Sequence, residues 1–143
     1  MFEKDLLKNK TVIVTGGGTG LGKSMAKQFG LLGAKLSICG RRKEVIDAAV
    51  QELKETEAEV LGVQCDVRIG EDVQRMFNET VSTLGPVNVL LNNAAGNFIS
   101  PTERLSTKAF DVIVDIVLKG TYNYSLLLGK LWIEKKQPGV ILN

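Results

Sequence analysis

Residues 15–22 read Thr15-Gly16-Gly17-Gly18-Thr19-Gly20-Leu21-Gly22. The stretch follows a short β-branched run at 11–14 and leads into residues 23–29, where apolar side chains return at helical spacing. This is the order strand, glycine turn, helix. Glycines let the backbone approach a ligand closely, and a helix N-terminus offers unpaired N–H groups to an anion. The stretch therefore predicts a site for the pyrophosphate of a dinucleotide.

The glycine spacing is not that of the general dinucleotide fingerprint G-x-G-x-x-G. Counting from Gly16 the last position is Leu21, and counting from Gly18 it is Lys23. The pattern that fits is T-G-x-x-x-G-x-G, with glycines at 16, 20 and 22. Because a strand precedes it and a helix follows it, we interpret the pattern as a nucleotide site and not as a flexible turn.

Composition narrows the class of protein. The chain has 143 residues and a net charge of +2, which favours neither nucleic acid nor an anionic membrane as a partner. No apolar run reaches the ~20 residues of a spanning helix, and the charged N-terminus does not look like a signal peptide. We expect a cytoplasmic protein in which Cys39 and Cys65 are reduced and buried. The absence of histidine argues against a metal site.

Strand-like and helix-like segments alternate along the chain. Apolar runs at 11–14, 36–39, 60–65, 87–91 and 140–142 are separated by helical patterns, the last of them a long one over 105–133. This alternation predicts βαβ units, and so an α/β fold with a parallel sheet and right-handed crossovers. We expect one dinucleotide-binding domain over residues 1–143. Because residues 140–142 look like a fifth buried strand without a covering helix, we expect the domain to be truncated after that strand.

Two arginines follow the second predicted strand. NAD-binding proteins of this architecture usually place an acidic residue there for the ribose 2′-hydroxyl, but this chain has Arg41, Arg42 and Lys43 before the first acid, Glu44. A guanidinium can bind a 2′-phosphate with two parallel hydrogen bonds. The sequence therefore favours NADP(H) over NAD(H). The alternative, a solvated helix start, is less favourable because cations oppose the helix dipole there.

Two further motifs stand at strand ends. Asp66 and Val67 follow the third strand, where the Asp66 carboxylate either accepts from the adenine amino group or caps the helix around 70–84. Asn92-Asn93-Ala94-Ala95-Gly96 follows the fourth strand, where small residues let the backbone lie against a cofactor, although an Asx-rich turn has the same composition.

Together these motifs resemble the short-chain dehydrogenase/reductase superfamily, whose members carry T-G-x-x-x-G-x-G, an Asp-Val and an N-N-A-G in this order. The resemblance implies a doubly wound Rossmann fold and a nicotinamide cofactor. Carried over by position, it implies that Gly16, Gly20 and Gly22 hold the pyrophosphate, that Asp66 contacts the adenine, and that Asn92 and Ala94 line the cofactor site. With the residues around these motifs and the two arginines, the predicted cofactor-binding residues are Gly16, Thr19, Gly20, Leu21, Gly22, Arg41, Arg42, Asp66, Val67, Asn92, Ala94 and Gly96. Residues 93–106 and 115–118 are similar to the 2,4-dienoyl-CoA reductase branch, which reduces conjugated acyl thioesters with NADPH in fatty acid metabolism. That similarity implies an acyl-CoA substrate, and it suggests Phe98, Ile99 and Glu103 as part of the substrate wall.

The superfamily's proton donor is a Tyr-x-x-x-Lys pair with an upstream Ser. Tyr122 and Tyr124 are followed four residues later by Leu126 and Leu128, so neither begins that motif. We therefore predict no catalytic residue in this chain and little turnover by it. A relay Asn of the superfamily is replaced by Val117, and the Asn that the dienoyl branch places before Gly120 is replaced by Lys119, which we interpret as a solvated residue.

Several functions stay open at this stage. The leading hypothesis is an NADP(H)-dependent short-chain reductase of an unsaturated acyl-CoA. The alternatives are a non-catalytic NADP(H)-binding or regulatory module and a different short-chain reductase, such as a 3-oxoacyl reductase. The apolar residues of the long helical segment predict a mixture of core packing and a subunit interface, so we expect a homo-oligomer, either a dimer or a tetramer.

Overall fold

The computed structural model describes residues 2–143 and has a parallel sheet at its centre. Its strands, in chain order, are β1 (Thr11–Thr15), β2 (Lys35–Gly40), β3 (Val60–Gln64), β4 (Val87–Leu91) and β5 (Val140–Leu142). Their order across the sheet is β3-β2-β1-β4-β5, and every pair is parallel. The parallel α/β sheet expected from the alternating pattern, and the doubly wound fold implied by the resemblance, are confirmed.

Helices connect the strands and cover both faces of the sheet. They are α1 (Gly20–Leu31), α2 (Lys43–Lys54), α3 (Gly70–Leu84), α4 (Thr107–Val114) and α5 (Gly120–Glu134). A short 3-10 turn, Thr102–Arg104, precedes α4. The pattern had predicted one long helical segment over 105–133. In the structure α4 begins at Thr107, and Ser106 caps it by accepting a hydrogen bond from the Ala109 N–H. A π-helical turn, Asp115–Lys119, separates α4 from α5.

The core consists of two apolar layers, one on each side of the sheet. Val12 and Val14 of β1 point into the layer under α1 and α2, and Ile13 points into the layer under α3 and α5. All three side chains are fully buried, and burial of each stabilises the fold by roughly 1.5–3 kcal/mol. Residues buried on both faces are typical of the central strand of a parallel sheet. The glycine stretch therefore follows a fully buried strand at the centre of the sheet.

The long helical segment has two different faces. Tyr124, Leu128 and Trp132 of α5 are buried against the sheet, whereas Leu118 and Tyr122 are mostly exposed. The core-packing part of the prediction for this segment is therefore confirmed. Among the described residues, no helix is both long enough and apolar enough to span a bilayer.

The strand order determines where a ligand fits. From β1 the chain proceeds outward to β2 and β3, and then crosses back to β4 on the other side of β1. The two connections diverge at the carboxyl ends of β1 and β4 and leave a crevice between them. In open parallel sheets this reversal point is where ligands bind.

Candidate functional site

A cavity of about 630 Å³ opens at the carboxyl ends of the strands. This volume lies within the range of small-molecule and cofactor sites. Its walls come from the glycine stretch, the ends of β2 and β3, the segment after β4 and the π-helical turn. The lining residues are Gly16, Gly18, Thr19, Gly20, Leu21, Gly22, Cys39, Gly40, Arg41, Arg42, Val45, Ile46, Cys65, Asp66, Val67, Asn93, Ala94, Ala95 and Ile116.

The glycine turn needs glycine at Gly16 and Gly20 because both have positive φ, +66° and +51°. α1 begins at Gly20, and Thr19 before it does not cap the helix with its side chain. The free N–H groups of the first turn therefore lie at the cavity wall, together with the positive end of the helix dipole. This arrangement suits a phosphate group.

The segment after β4 fixes the glycine turn from the other side. The Thr15 hydroxyl oxygen accepts from the backbone N–H groups of Asn93 (3.0 Å) and Ala94 (2.9 Å). In return, the Asn93 side-chain amide donates to the carbonyls of Thr15 (3.0 Å) and Gly16 (3.3 Å). A Cβ at Gly22 would overlap the same amide and come within 2.5 Å of the Gly16 carbonyl oxygen. The turn is therefore a cradle that leaves no room for a side chain at Gly22.

The end of β2 supplies positive charge. Arg41 and Arg42 are exposed and line the cavity, and the Gln64 side-chain amide donates to the Arg41 carbonyl at 2.9 Å. Lys43 begins α2 and pairs with Asp47 at 2.6 Å, and it does not line the cavity. Of the three consecutive cations, two thus face the candidate site and one is a surface helix residue.

Asp66 lines the cavity and is bound by Arg68. The guanidinium contacts both carboxylate oxygens, with Nη2 2.6 Å from Oδ2 and Nε 2.9 Å from Oδ1. These hydrogen bonds lower the pKa of Asp66. The sequence left open whether Asp66 caps α3. In the structure Ile69 is the residue before α3, no side chain caps that end, and Asp72 reaches back to accept from the Asp66 N–H at 2.9 Å.

The two cysteines lie on the cavity wall next to a buried tyrosine. Cys39 and Cys65 are free and buried, and their sulfurs are 3.5 Å and 3.3 Å from the Tyr124 hydroxyl. Hydrogen bonding to the Cys65 thiol and burial together raise the pKa of Cys39, and burial raises the pKa of Tyr124. The expectation of unpaired, buried cysteines is confirmed. The Tyr124 hydroxyl is buried and contacts the two thiols.

Comparison with known proteins places this geometry in a family. Residues 10–143 match the family model described as short chain dehydrogenase. The chain belongs to the short-chain dehydrogenase family. A Bacillus subtilis protein named a probable 2,4-dienoyl-CoA reductase is 40% identical over 137 residues, which cover 96% of this chain and 54% of that protein. The peroxisomal 2,4-dienoyl-CoA reductase of Arabidopsis thaliana is 38% identical over 138 residues, 96% of this chain and 46% of that protein.

Solved structures of the family agree with the fold. A short-chain dehydrogenase from Bacillus anthracis superposes with a TM-score of 0.88 and 44% identity, over 93% of this chain and 55% of that one. Levodione reductase superposes with a TM-score of 0.86 and 29% identity, over 94% of this chain and 53% of that one. The chain spans about half the length of the relatives that it matches.

Most of the short-chain dehydrogenase motif residues predicted from the sequence line the cavity, but Asn92 and Gly96 do not. The Asn92 amide nitrogen donates to Ser125 Oγ (3.0 Å) and Asn143 Oδ1 (2.9 Å), and so joins the end of β4 to α5 and to the residue after β5. Its own Oδ1 is buried without a hydrogen-bond partner among residues 2–143. At Gly96 a Cβ would lie 2.9 Å from Ile116 Cδ1, so the role supported there is close packing.

Sequence reasoning missed several lining residues. Asn93 lay inside the recognised N-N-A-A-G stretch, and its position after a strand was a usable signal. Ile116 projects from the π-helical turn, for which the local sequence offers no glycine or proline as a marker. Lys119, in the same turn, is exposed, as are Phe98, Ile99 and Glu103. Within residues 2–143, no group of three His, Cys, Asp or Glu side chains could hold a metal ion.

Proposed function

We propose that the cavity binds NADP(H) and that the protein is an NADP(H)-dependent short-chain oxidoreductase. The observation that carries this proposal is the position of Arg41 and Arg42 in the cavity that the glycine cradle encloses. The cradle and the N-terminus of α1 suit a pyrophosphate, and the two guanidinium groups suit a phosphate on the adenosine ribose. Asp66 supplies an acceptor for the adenine amino group. The cofactor-binding residues that we propose are the predicted residues that line the cavity, with Asn93 added, whereas Asn92 and Gly96 do not line it.

When bound, the nicotinamide would supply a hydride. The chain's own residues perform the binding and the positioning. Gly16, Gly20 and Gly22 admit the diphosphate, and Asn93 keeps the turn in shape through its bonds to the Thr15 and Gly16 carbonyls. Ala94 and Ile116 provide apolar wall toward the other end of the cavity. We assign no catalytic acid to residues 1–143 and propose that this chain alone has little or no turnover.

The cofactor assignment is tested by titrating the protein with NADPH and with NADH, following the reduced nicotinamide fluorescence. The wild type should bind NADPH more tightly than NADH. The variant R41A/R42A should lose at least tenfold in affinity for NADPH while its affinity for NADH changes little, because charge-assisted hydrogen bonds contribute about 1.5–3 kcal/mol each. K43A removes a neighbouring cation that does not line the cavity, and it should leave both affinities unchanged. Binding of neither cofactor, or tighter binding of NADH, would refute the assignment.

For the substrate, we propose an unsaturated acyl-CoA that is reduced at its conjugated double bond. The support comes from relatives that are named 2,4-dienoyl-CoA reductases and from the exposed apolar side chains Phe98 and Ile99, which follow the cavity-lining segment after β4. A binding assay should show that a 2,4-dienoyl-CoA competes for the NADPH-loaded protein better than a 3-oxoacyl-CoA. The reverse order would favour a 3-oxoacyl reductase. Rapid NADPH oxidation by this chain would contradict the proposed lack of a catalytic acid.

We also propose a homo-oligomer and a cytoplasmic location. Phe110, Leu118, Tyr122 and Ile133 are more than half exposed on the α4–α5 segment, which is a large apolar surface for a surface helix. Light scattering should give the mass of a dimer or tetramer, and L118K/Y122K should give a monomer with an unchanged circular dichroism spectrum. The location is a proposal from the sequence, and the matched relatives include proteins named peroxisomal.

A further inference from the structure

Arg68 binds the one carboxylate that faces the cavity, while it does not itself line the cavity. Its Nε is 2.9 Å from Oδ1 and 3.1 Å from Oδ2 of Asp66, and its Nη2 is 2.6 Å from Oδ2. The backbone N–H of Arg68 adds a fourth contact, to Oδ1 at 3.1 Å. A guanidinium that reaches both oxygens fixes the plane of the carboxylate, which a single contact cannot do.

The backbone around this pair is also held. The Asp66 N–H donates to Asp72 Oδ2 at 2.9 Å, and the Asp66 carbonyl accepts from the Ile69 N–H at 3.0 Å. Asp115, in the π-helical turn, lies near enough for its charge to act on Arg68. The Asp66 side chain is 15% exposed and is held by four contacts from Arg68, so it has little freedom to rotate.

The hydrogen bonds that Asp66 already makes determine what its carboxylate can still accept from a ligand. A carboxylate has about four acceptor positions, and Arg68 brings three N–H groups to it: one from the backbone, one from Nε and one from Nη2. The Nε hydrogen is shared between the two oxygens, so its two contacts count once, and one acceptor position of this cavity-lining carboxylate is left for a ligand donor. Since the ion pair keeps Asp66 ionised, this position accepts hydrogen bonds and donates none. It suits an exocyclic amino group and repels a carbonyl oxygen.

We infer that Arg68 is a positioning residue that holds Asp66 as an acceptor for the amino group of the cofactor's base, and that this pair makes the site select adenine over hypoxanthine. The inference rests on the proposed cofactor site and deepens it. Adenine carries an amino group where hypoxanthine carries an oxo group, so the two dinucleotides differ at the atom that Asp66 would contact. Without the guanidinium, the carboxylate is free to rotate away from the amino group, and the selection weakens.

The test compares the affinities of NADPH and of its hypoxanthine analogue for the wild type and for three variants. The wild type should prefer NADPH by about tenfold, which corresponds to one hydrogen bond to a charged group. R68M should bring the ratio close to one by weakening NADPH and not the analogue. R68K retains the charge without the fork and should recover part of the preference. R104M removes an exposed arginine whose contact with Glu103 is 4.0 Å long and which does not line the cavity, so it should keep the wild-type affinity ratio.

The outcomes separate the inference from the proposal on which it rests. If the wild type binds neither dinucleotide, the cofactor proposal fails. If the wild type binds both equally, or if R68M retains the wild-type ratio, the cofactor proposal stands and the role of Arg68 is refuted. An equal loss of both affinities in R68M would show a merely structural residue and would also refute it. Thermal unfolding of each variant monitors the fold, and R68K provides the ratio if R68M does not fold.

Discussion

The Asn93 side-chain amide lies where a side chain at Gly22 would have to be. Asn93 follows β4 and Gly22 is in the first turn of α1, so two segments that are distant in sequence are packed closely together here. The same amide donates to the carbonyls of Thr15 and Gly16, so it cannot move away without breaking these bonds. The third glycine of the motif is therefore required by packing against Asn93, in addition to any ligand.

This contact predicts different results for two glycines of one motif. Gly22→Ala should destabilise the fold by about 1–3 kcal/mol, because overpacking against Asn93 forces the turn to shift. Gly20→Ala meets nothing within 4 Å, so its cost is only that of a positive φ, about 1–2 kcal/mol. Urea denaturation gives both values, and crystal structures of the two variants should show Asn93 displaced only in Gly22→Ala. An undisturbed Asn93 in that variant would contradict the packing argument.

Thr15 predicts a second effect that depends on one atom. Its hydroxyl oxygen accepts from the backbone N–H groups of Asn93 and Ala94, and among residues 2–143 no other acceptor binds them. Thr15→Val keeps the shape but leaves both donors without a partner, so the free energy of unfolding should fall by about 1–3 kcal/mol. Thr15→Ser retains the oxygen and should recover most of the loss. If Val and Ser variants were equally stable, the hydroxyl would have no such role.

Asp66 predicts a pH dependence of stability. The charged groups around it are Arg68 and Arg41, with Asp72 at its backbone N–H and Asp115 beside Arg68. The hydrogen bonds from Arg68 lower the pKa of Asp66 in the folded state below the ordinary value of an aspartate. The contribution to stability is therefore fully present above about pH 4 and disappears as the pH falls through the lower folded value.

The measurement compares the wild type with Asp66→Asn by urea denaturation between neutral pH and the onset of acid unfolding. The wild type should be more stable at neutral pH, and the difference should narrow below about pH 4, where Asp66 takes up a proton. Arg68→Met should show the same narrowing because it removes the other partner. A difference that is constant with pH would mean that the ion pair contributes nothing.

Two glycines near the C-terminal end of the chain, Gly139 and Gly129, should respond to alanine in opposite directions. The Trp132 indole N–H donates to the Val87 carbonyl at 2.9 Å, and a Cβ at Gly139 would overlap the indole ring. Gly139→Ala should therefore destabilise the protein by about 1–3 kcal/mol. Gly129→Ala, in the interior of α5 with open space around it, should stabilise it by roughly 0.5–1 kcal/mol. Thermal unfolding distinguishes the two signs, and a neutral Gly139→Ala would contradict the contact.

The sequence was sufficient for the strands and for their parallel arrangement, because each strand is a short apolar run between helical patterns. The predicted strand ends differ from the observed ones by about one residue, as at β3, which ends at Gln64. The π-helical turn was not predictable, since residues 115–119 carry the same helical pattern as their neighbours and only packing determines the turn. The grip of Arg68 on Asp66 was missed for a different reason. Asp66 and Arg68 are two residues apart in a loop, and no sequence periodicity predicts a contact between side chains at that spacing.

The hydrogen bond from the Asn93 N–H to Thr15 spans 78 positions of the chain. During synthesis the glycine turn therefore leaves the ribosome long before Asn93 and Ala94, the residues that hold it in place. Until β4 and the residues after it have been synthesised and β4 has paired with β1, the turn lacks the N–H donors of Asn93 and Ala94, and the cavity lacks a wall. The ability to bind a dinucleotide should thus appear abruptly and late during synthesis, because parallel strands that are remote in sequence pair only after a long loop closes.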